Sequence, residues 1–453
     1  MTPTTSKQAA EGGPGARPPW QVAAEQFRPD RPGLNWLAAH QAKALARMKV
    51  SGLPDAGDED WRYTSLAGYS RRWTEYLSVP GPVTRPDGVK PPLPPAPAVG
   101  AGVTVNIVDG VLRSAPAGSA PGLSIQSLQQ LTPALRVRAE RLLGNADNTD
   151  PDRLVDVNTA LLGDAVLIAT DPGSCPPEAI HVRLQGVTER FFDQPRLLVD
   201  LAPDSRLTLI LEYTGAGGAL VNAVNQICLA HGSQLHLIRV QTLADDGMLL
   251  ETTELEVGAS ASVTITSVDL GGQLCRQAIT VRLAGTGADA TVNGMFLADG
   301  QRHIDNRTRL LHQAPATTSR ELFRGIADDH GRGIFNGKIV VQPGAAGSHA
   351  TLTNRNLLLA PTAEIDTKPE LEIYVDDVRC SHGATTGQLD ANALFYLRSR
   401  GLDPAEARQV LTSAFLREGL SGISIPELRV SLEAQLQARL GGDNTRVPSW
   451  AGA

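Results

Sequence analysis

Aromatic residues and paired cysteines are both scarce in this 453-residue chain. Aromatic residues make up 4% of the sequence, and none of the four cysteines (Cys175, Cys228, Cys275 and Cys380) lies in a CxxC pair. The missing pairs argue against a disulfide framework and against a structural zinc site. Cys228 and Cys275 lie in apolar runs, so we expect buried and unreactive thiols at both positions.

Strong charge and long hydrophobic runs are also lacking. The net charge is -7 and the isoelectric point is near 5.8, so we expect neither nucleic acid nor an anionic membrane as a partner. No run is long enough for a membrane span, and the first thirty residues lack the apolar core of a signal peptide. The free cysteines then predict a reducing, cytoplasmic location.

Sequence motifs for common enzyme active sites are absent as well. The sequence contains no GxSxG, no GxxxxGK[ST] and no HExxH. We therefore predict that the chain has no nucleotide-hydrolysing site of its own and that any dependence on ATP comes from another subunit.

Short β-forming runs dominate the middle of the sequence. From about residue 165 they follow one another, as at 207–213, 235–240 and 278–283, separated by small-residue turns such as 258–261 and 344–347. No helical pattern interrupts them for nearly two hundred residues, which leaves a β-sandwich or a β-solenoid. Turn-strand units that recur without helices favour a parallel β-helix.

Four segments follow from these patterns. We predict a disordered tail over 1–30, a helix-rich region over 31–164 with a Pro-rich connector at 80–97, a β-helix core over 165–385, and a helical domain over 386–453.

The last of these segments shows clear helix signals. Asp403 is a good N-cap, Pro404 suits the first helical position, and Glu406 completes a capping box. Two apolar stripes follow. They predict either helices that pack together or cover an end of the solenoid, or a surface that docks a partner.

Cys380 and His382 form the one candidate metal site. Thiolate and imidazole are ligands for soft and borderline transition metals. Residues i and i+2 of a strand share a face, so both side chains can meet one metal or one partner surface. A lone Cys-x-His pair is nevertheless more often structural than metal-binding.

A family resemblance covers the same stretch. The segments 366–374 (DTKPELEIY), 377–384 (DVRCSHGA), 387–390 (GQLD) and 394–401 (LFYLRSRG) resemble the C-terminal signature of the SufB/SufD family of the Suf iron–sulfur cluster assembly machinery, and they fit its SufD branch better than its SufB branch. Weaker matches lie at 60–64 (DWRYT), 312–315 (HQAP), 333–338 (GIFNGK) and 354–359 (NRNLLL).

The resemblance implies a mainly β fold, with a right-handed parallel β-helix between N-terminal and C-terminal helical regions. It also implies a non-enzymatic scaffold subunit that pairs with a SufB-like subunit and docks a SufC-like ABC ATPase through its C-terminal helices. The isolated chain is then able to form a homodimer.

The resemblance also places Cys380 and His382 near the SufB contact, as candidate ligands for iron or a nascent cluster. Such clusters usually need about four Cys ligands. We therefore expect no cofactor to be held stably by this chain alone, and only transient iron or an iron–sulfur cluster in the complex.

Two other interpretations stay open at this point. Many β-helix proteins are enzymes that cut polysaccharides with carboxylates in a long groove, although the missing signal peptide and the few aromatics argue against this. In the second interpretation the chain is a purely structural partner in which Cys380 and His382 are dispensable.

Overall fold

The computed structural model describes residues 18, 21–23, 34–78, 102–114, 121–145, 152–186, 192–215 and 217–440. Its strands are β1 (Val103–Val108), β2 (Val111–Ser114), β3 (Leu123–Ser127), β4 (Val166–Thr170), β5 (Ile180–Gly186), β6 (Phe192–Asp193), β7 (Arg196–Leu201), β8 (Arg206–Gly215), β9 (Leu220–Leu229), β10 (Gln234–Gln241), β11 (Met248–Val257), β12 (Ser262–Asp269), β13 (Leu274–Leu283), β14 (Asp289–Ala298), β15 (His303–His312), β16 (Thr318–Ala327), β17 (Arg332–Val341), β18 (Ser348–Leu358), β19 (Glu364–Ile373) and β20 (Val378–Gly387).

The helices lie before and after the long run of strands. They are α1 (Ala38–Ser51), α2 (Ala67–Ser78), α3 (Pro133–Asn145), α4 (Arg153–Ala160), α5 (Ala391–Ser399), α6 (Pro404–Gly419) and α7 (Pro426–Leu440). Among the described residues, no helix is both long enough and apolar enough to cross a membrane.

The strands coil into a parallel solenoid with two walls. One wall, sheet A, has the order β2-β1-β5-β8-β10-β12-β14-β16-β18-β20, and the other, sheet B, has the order β19-β17-β15-β13-β11-β9-β7-β4-β3. In sheet A, Gln234 pairs with Ser262, Ser262 with Asp289, Asp289 with Thr318 and Thr318 with His349, so one turn takes 27 to 31 residues. The predicted β-solenoid flanked by helices is confirmed, and the β-sandwich alternative is wrong.

Alternate side chains of both walls meet inside the solenoid. Leu235, Leu237, Val263 and Ile265 of sheet A share one core cluster with residues such as Leu255 of sheet B. Because alternate strand residues face opposite sides, the remaining apolar positions point outward and need a second layer.

The helices supply that second layer, one group on each wall. Helices α1, α2 and α4 pack on sheet B, where Met48 and Trp73 share a cluster with Leu250. Helices α6 and α7 pack on sheet A, where Leu416 and Leu432 share a cluster with residues such as Val240 and Leu297. Helices α6 and α7 therefore cover the side of the solenoid, and the expectation that they close its end is wrong. Val410 and Ala414 of the predicted α6 stripe stay exposed.

Parts of the predicted organisation lie outside the described residues. This holds for most of the tail at 1–30 and for the Pro-rich connector at 80–97. The four-segment division of the chain stays a prediction.

Candidate metal-ligand pair at the open end of the solenoid

The last turn of the solenoid is formed by β19 and β20, the final strands of their sheets. Each pairs with one neighbour among the described strands, β19 with β17 and β20 with β18. Every residue of β20 from Ser381 to Gly387 is exposed, whereas the strands of the middle turns are largely buried. No described residue therefore covers this end of the solenoid.

Cys380 and His382 lie side by side on β20 and continue the inward-facing rows of sheet A. Cys380 is paired in register with Ala350, and His382 with Leu352, both of which belong to the buried core. Cys380 itself packs against that core. The shared face predicted from the sequence is thus the inner face of the solenoid, and it opens at the uncovered end.

Partial burial sets the protonation of the thiol. Removal from water raises the pKa of Cys380 above its usual value, and a backbone hydrogen bond with Ala350 opposes the shift only in part. The thiol is therefore protonated at neutral pH, and it must lose a proton to become a ligand.

These two side chains do not form a complete metal site. Within the described parts of the chain, no group of three or more His, Cys, Asp or Glu side chains is arranged to hold a metal ion. Metal sites of this type usually have four ligands, so within the described residues Cys380 and His382 supply half of such a set.

Large apolar side chains are exposed at the end of β19 and on the helix that follows β20 in the chain. Ile373 is the last residue of β19, and Tyr374 follows it directly. Phe395 and Tyr396 lie on α5, a helix with no buried residue. Phe395 is 72% exposed and Tyr396 is 57% exposed. We call the open edges of β19 and β20 together with these four residues the terminal face. Large exposed apolar side chains of this kind are typical of interaction sites.

A second surface feature lies on the C-terminal helices. A groove of about 520 Å³ is lined mainly by α6, with Leu402 preceding that helix and Gln437 on α7. Val410, in its lining, is 46% exposed. The capping box predicted at Asp403 and Glu406 is present and fixes the start of the helix.

Buried thiols were also predicted for Cys228 and Cys275, and the two residues differ in the structure. Cys275 is buried inside the solenoid, as predicted. Cys228 is only half-buried, so the prediction of a buried thiol is wrong there, although desolvation raises its pKa to about 11 and keeps it unreactive.

Sequence reasoning missed a buried charge network inside the solenoid. Arg239 pairs with Glu251 and Asp269, and the Cys275 thiol donates a hydrogen bond to Asp269 at 3.1 Å. Tyr213 donates to Glu251 at 3.1 Å. Arg239 follows the inward-facing Leu237 by two positions, and Glu251 follows the inward-facing Leu249 by two. Because every second residue of a strand faces the same side, this spacing could have revealed that both charged side chains point into the solenoid.

Comparison with known proteins agrees with this architecture. Residues 183–415 match the family model described as SUF system FeS cluster assembly, SufBD core domain. The iron-sulfur cluster assembly protein SufD of Escherichia coli is 28% identical over 411 residues, which cover 88% of this chain and 92% of that protein. A SufBD family protein of Synechocystis sp. is 29% identical over 330 residues, covering 70% and 72%. Protein ABCI7, chloroplastic, of Arabidopsis thaliana is 26% identical over 337 residues, covering 71% and 70%.

Proposed function

This chain belongs to the SufB/SufD family of iron–sulfur cluster assembly proteins, and from that premise we propose that it is a non-enzymatic scaffold subunit of a Suf complex. In this proposal it pairs with a SufB-like subunit through the terminal face and docks a SufC-like ATPase on its C-terminal helices. The complex works in the cytoplasm, where the four cysteines stay free thiols. The relatives give no support to a polysaccharide-cutting enzyme.

The observation that carries the proposal is the uncovered end of the solenoid. A β-solenoid whose last turn is open exposes both its interior and two strand edges, which invites pairing with another chain. The exposed Ile373, Tyr374, Phe395 and Tyr396 add apolar area to that end. A partner subunit of similar architecture would bury all of these features at once.

Cys380 and His382 then act on the cargo of the complex, which is iron or a nascent cluster. The Cys380 thiol loses its proton to solvent as its sulfur bonds to iron, and the His382 imidazole offers a nitrogen. The SufB-like partner supplies the remaining ligands, since this chain brings two. Cargo is therefore held at the subunit boundary and released when that boundary opens.

The groove on α6 is the proposed docking site for the ATPase. Its lining mixes apolar Val410 and Ala414 with charged Glu406 and Arg417, as expected of a surface that accepts a partner helix. The sequence has no nucleotide-binding motif of its own, so the ATP cycle would act on this chain through that contact.

The experiment is co-expression of this chain with the SufB-like and SufC-like subunits of its own organism, followed by purification, mass determination and a cluster-building assay. The Cys380→Ala/His382→Ala double variant is compared with wild type. Ser381→Ala is the matched control, because Ser381 lies between the two ligands and its side chain points to the opposite face.

We expect a stable three-subunit complex for all three chains, and loss of cluster building only in the double variant. Full activity of the double variant would show that Cys380 and His382 are dispensable and that the chain is a purely structural subunit. Failure of wild type to form the complex would refute the proposal as a whole.

A further inference from the structure

On the basis of the function proposed above, we further propose that Phe296, Phe323 and Phe335 form an internal seal beneath the metal-ligand pair. Cargo then reaches and leaves Cys380 and His382 only through the terminal face. With the open end of the solenoid taken as the top, the three rings lie between an upper and a lower layer of inward-facing polar side chains. Each of the three residues is at most 1% exposed.

The upper polar layer lies directly under the open turn. Asn354 and Asn356 lie on the inner face of β18, and Asn356 is in register with Thr386 of β20. The two amides bond to each other at 2.6 and 3.2 Å, and the Asn356 amide donates to the Thr386 hydroxyl at 3.3 Å. Thr367 of β19 donates to Asn354 at 2.8 Å. Whatever enters the open end therefore meets hydrogen-bonding groups first.

The lower polar layer is the buried charge network around Cys275 and Asp269. Asp269 lies on β12, which is four strands below β20 in sheet A, and neighbouring strands are about 4.8 Å apart. Cys275 donates to Asp269 at 3.1 Å, and Arg239 pairs with the same carboxylate. Thiolates and carboxylates both bind metal ions, so cargo that reached this depth would meet competing ligands.

The ring of Phe296 separates the two layers along one row of sheet A. Phe296 is in register with Asp269 below it and with Gly325 above it, and Gly325 is in register with Asn356. A Cβ atom on Gly325 would overlap the ring of Phe296. The ring therefore fills the space that a side chain at position 325 would occupy.

The neighbouring row of sheet A is closed by Phe323. This residue lies below Asn354 and above Gly294, and a Cβ atom on Gly294 would overlap its ring. On sheet B, Phe335 lies directly below Thr367. The ring centres of Phe323 and Phe335 are 4.8 Å apart, so the two walls are joined by aromatic contact across the interior.

Two further polar rows also end at apolar side chains. Asn306 of β15 lies directly below Phe335, and Glu321 of β16 lies directly below Leu352. Leu352 is 1% exposed. Close packing of protein interiors leaves few voids as large as a water molecule. In the folded chain these rows therefore give iron or sulfide no path between the layers.

Alkylation of Cys275 in the isolated full-length chain tests the seal. Iodoacetamide is the probe, and peptide mass spectrometry separates Cys275 from the other cysteines. Phe296→Ala removes the ring that lies on the charge network. Leu310→Ala is the matched control, because it leaves a cavity in the same turn of the solenoid that Val281 below and Ile339 above keep closed.

Each alkylation rate is corrected for the unfolded fraction, which urea unfolding measures. We expect the corrected rate at Cys275 to be at least tenfold higher in Phe296→Ala than in Leu310→Ala, and the rate in Leu310→Ala to equal that of wild type. If Phe296→Ala does not fold, Phe296→Leu takes its place, since it removes less of the side chain. Equal corrected rates in the seal variant and the control would overturn the proposal.

Addition of the SufB-like subunit shows from which end the probe enters. Binding should return the rate at Cys275 in Phe296→Ala to that of Leu310→Ala, because the partner covers the terminal face. An unchanged rate in a complex of confirmed mass would overturn entry through that face. If the wild-type chain forms no complex, the proposed function fails, whereas the rates in the isolated chain still decide whether the seal exists.

Discussion

Arg324 on β16 forms an ion pair with Glu418 on α6, although Arg324 is 2% exposed and Glu418 is 56% exposed. The guanidinium also lies 4.8 Å from the centre of the Phe415 ring. Arg324 thus joins the wall of the solenoid to the C-terminal half of α6. The same helix lines the groove proposed for ATPase docking. The position of that groove therefore depends on the contact between Arg324 and Glu418.

Glu418→Gln should reduce the free energy of unfolding by about 1–3 kcal/mol, because it weakens the partner of a buried cation. Burial lowers the pKa of Arg324, and the charge of Glu418 opposes that shift. Urea unfolding measures the change. The control is Glu433→Gln, since Glu433 lies 3.6 Å from the exposed Arg417 and such surface pairs contribute less than about 1 kcal/mol. Equal losses in the two variants would contradict the anchoring role of Arg324.

Glu321 should make stability fall as pH rises. It is buried inside the solenoid, where it accepts a hydrogen bond from Thr308, and desolvation raises its pKa to about 8. Between an unfolded-state pKa near 4.3 and this value, the folded chain holds a proton that the unfolded chain lacks. Its contribution to stability is therefore lost progressively as pH rises through that window, by up to about 1.4 kcal/mol per pH unit.

Glu321→Gln removes this titration while it keeps the shape of the side chain. We expect a smaller decrease in unfolding free energy between about pH 5 and about pH 8 than in wild type. The slope of the Glu433→Gln control should match wild type. A Glu321→Gln slope equal to the wild-type slope would show that Glu321 is ionised in the folded chain.

Arg239→Met should be among the most damaging single changes in the solenoid. It leaves Glu251 and Asp269 buried without their cation, which typically costs about 3–5 kcal/mol. Desolvation already raises the pKa of Glu251, so a second change, Glu251→Gln, should recover part of the loss. Arg282→Met is the control, because its 3.5 Å pair with Glu254 is partly exposed. Urea unfolding of the variants would contradict this view if Arg239→Met and Arg282→Met cost the same.

The sequence predicted local features well where a short pattern determines them. The turn-strand repeat led to the solenoid, the Asp403 and Glu406 spacing led to a capping box, and the Cys-x-His spacing put both side chains on one face. Each of these depends on residues close in the chain.

Features that depend on distant residues were harder to predict. The apolar residues of α6 and α7 predict that each helix has a buried face. They do not show whether that face packs on a wall of the solenoid or on its end. Likewise Arg239 on a strand resembles an exposed polar residue until Glu251 and Asp269, from later strands, are placed beside it. Pairing across turns of the solenoid decides both cases.

Thiol reactivity offers a last test of the candidate site. Cys175 is exposed, Cys380 is half-buried with a raised pKa, and Cys275 is buried with a pKa raised by desolvation. Because the thiolate is the nucleophile, alkylation followed by mass spectrometry should modify Cys175 first, Cys380 more slowly and Cys275 last, with the rate at Cys380 increasing as pH rises. Binding of the SufB-like subunit should protect Cys380 and leave Cys175 reactive. Unchanged alkylation of Cys380 in the complex would show that the partner does not cover the terminal face.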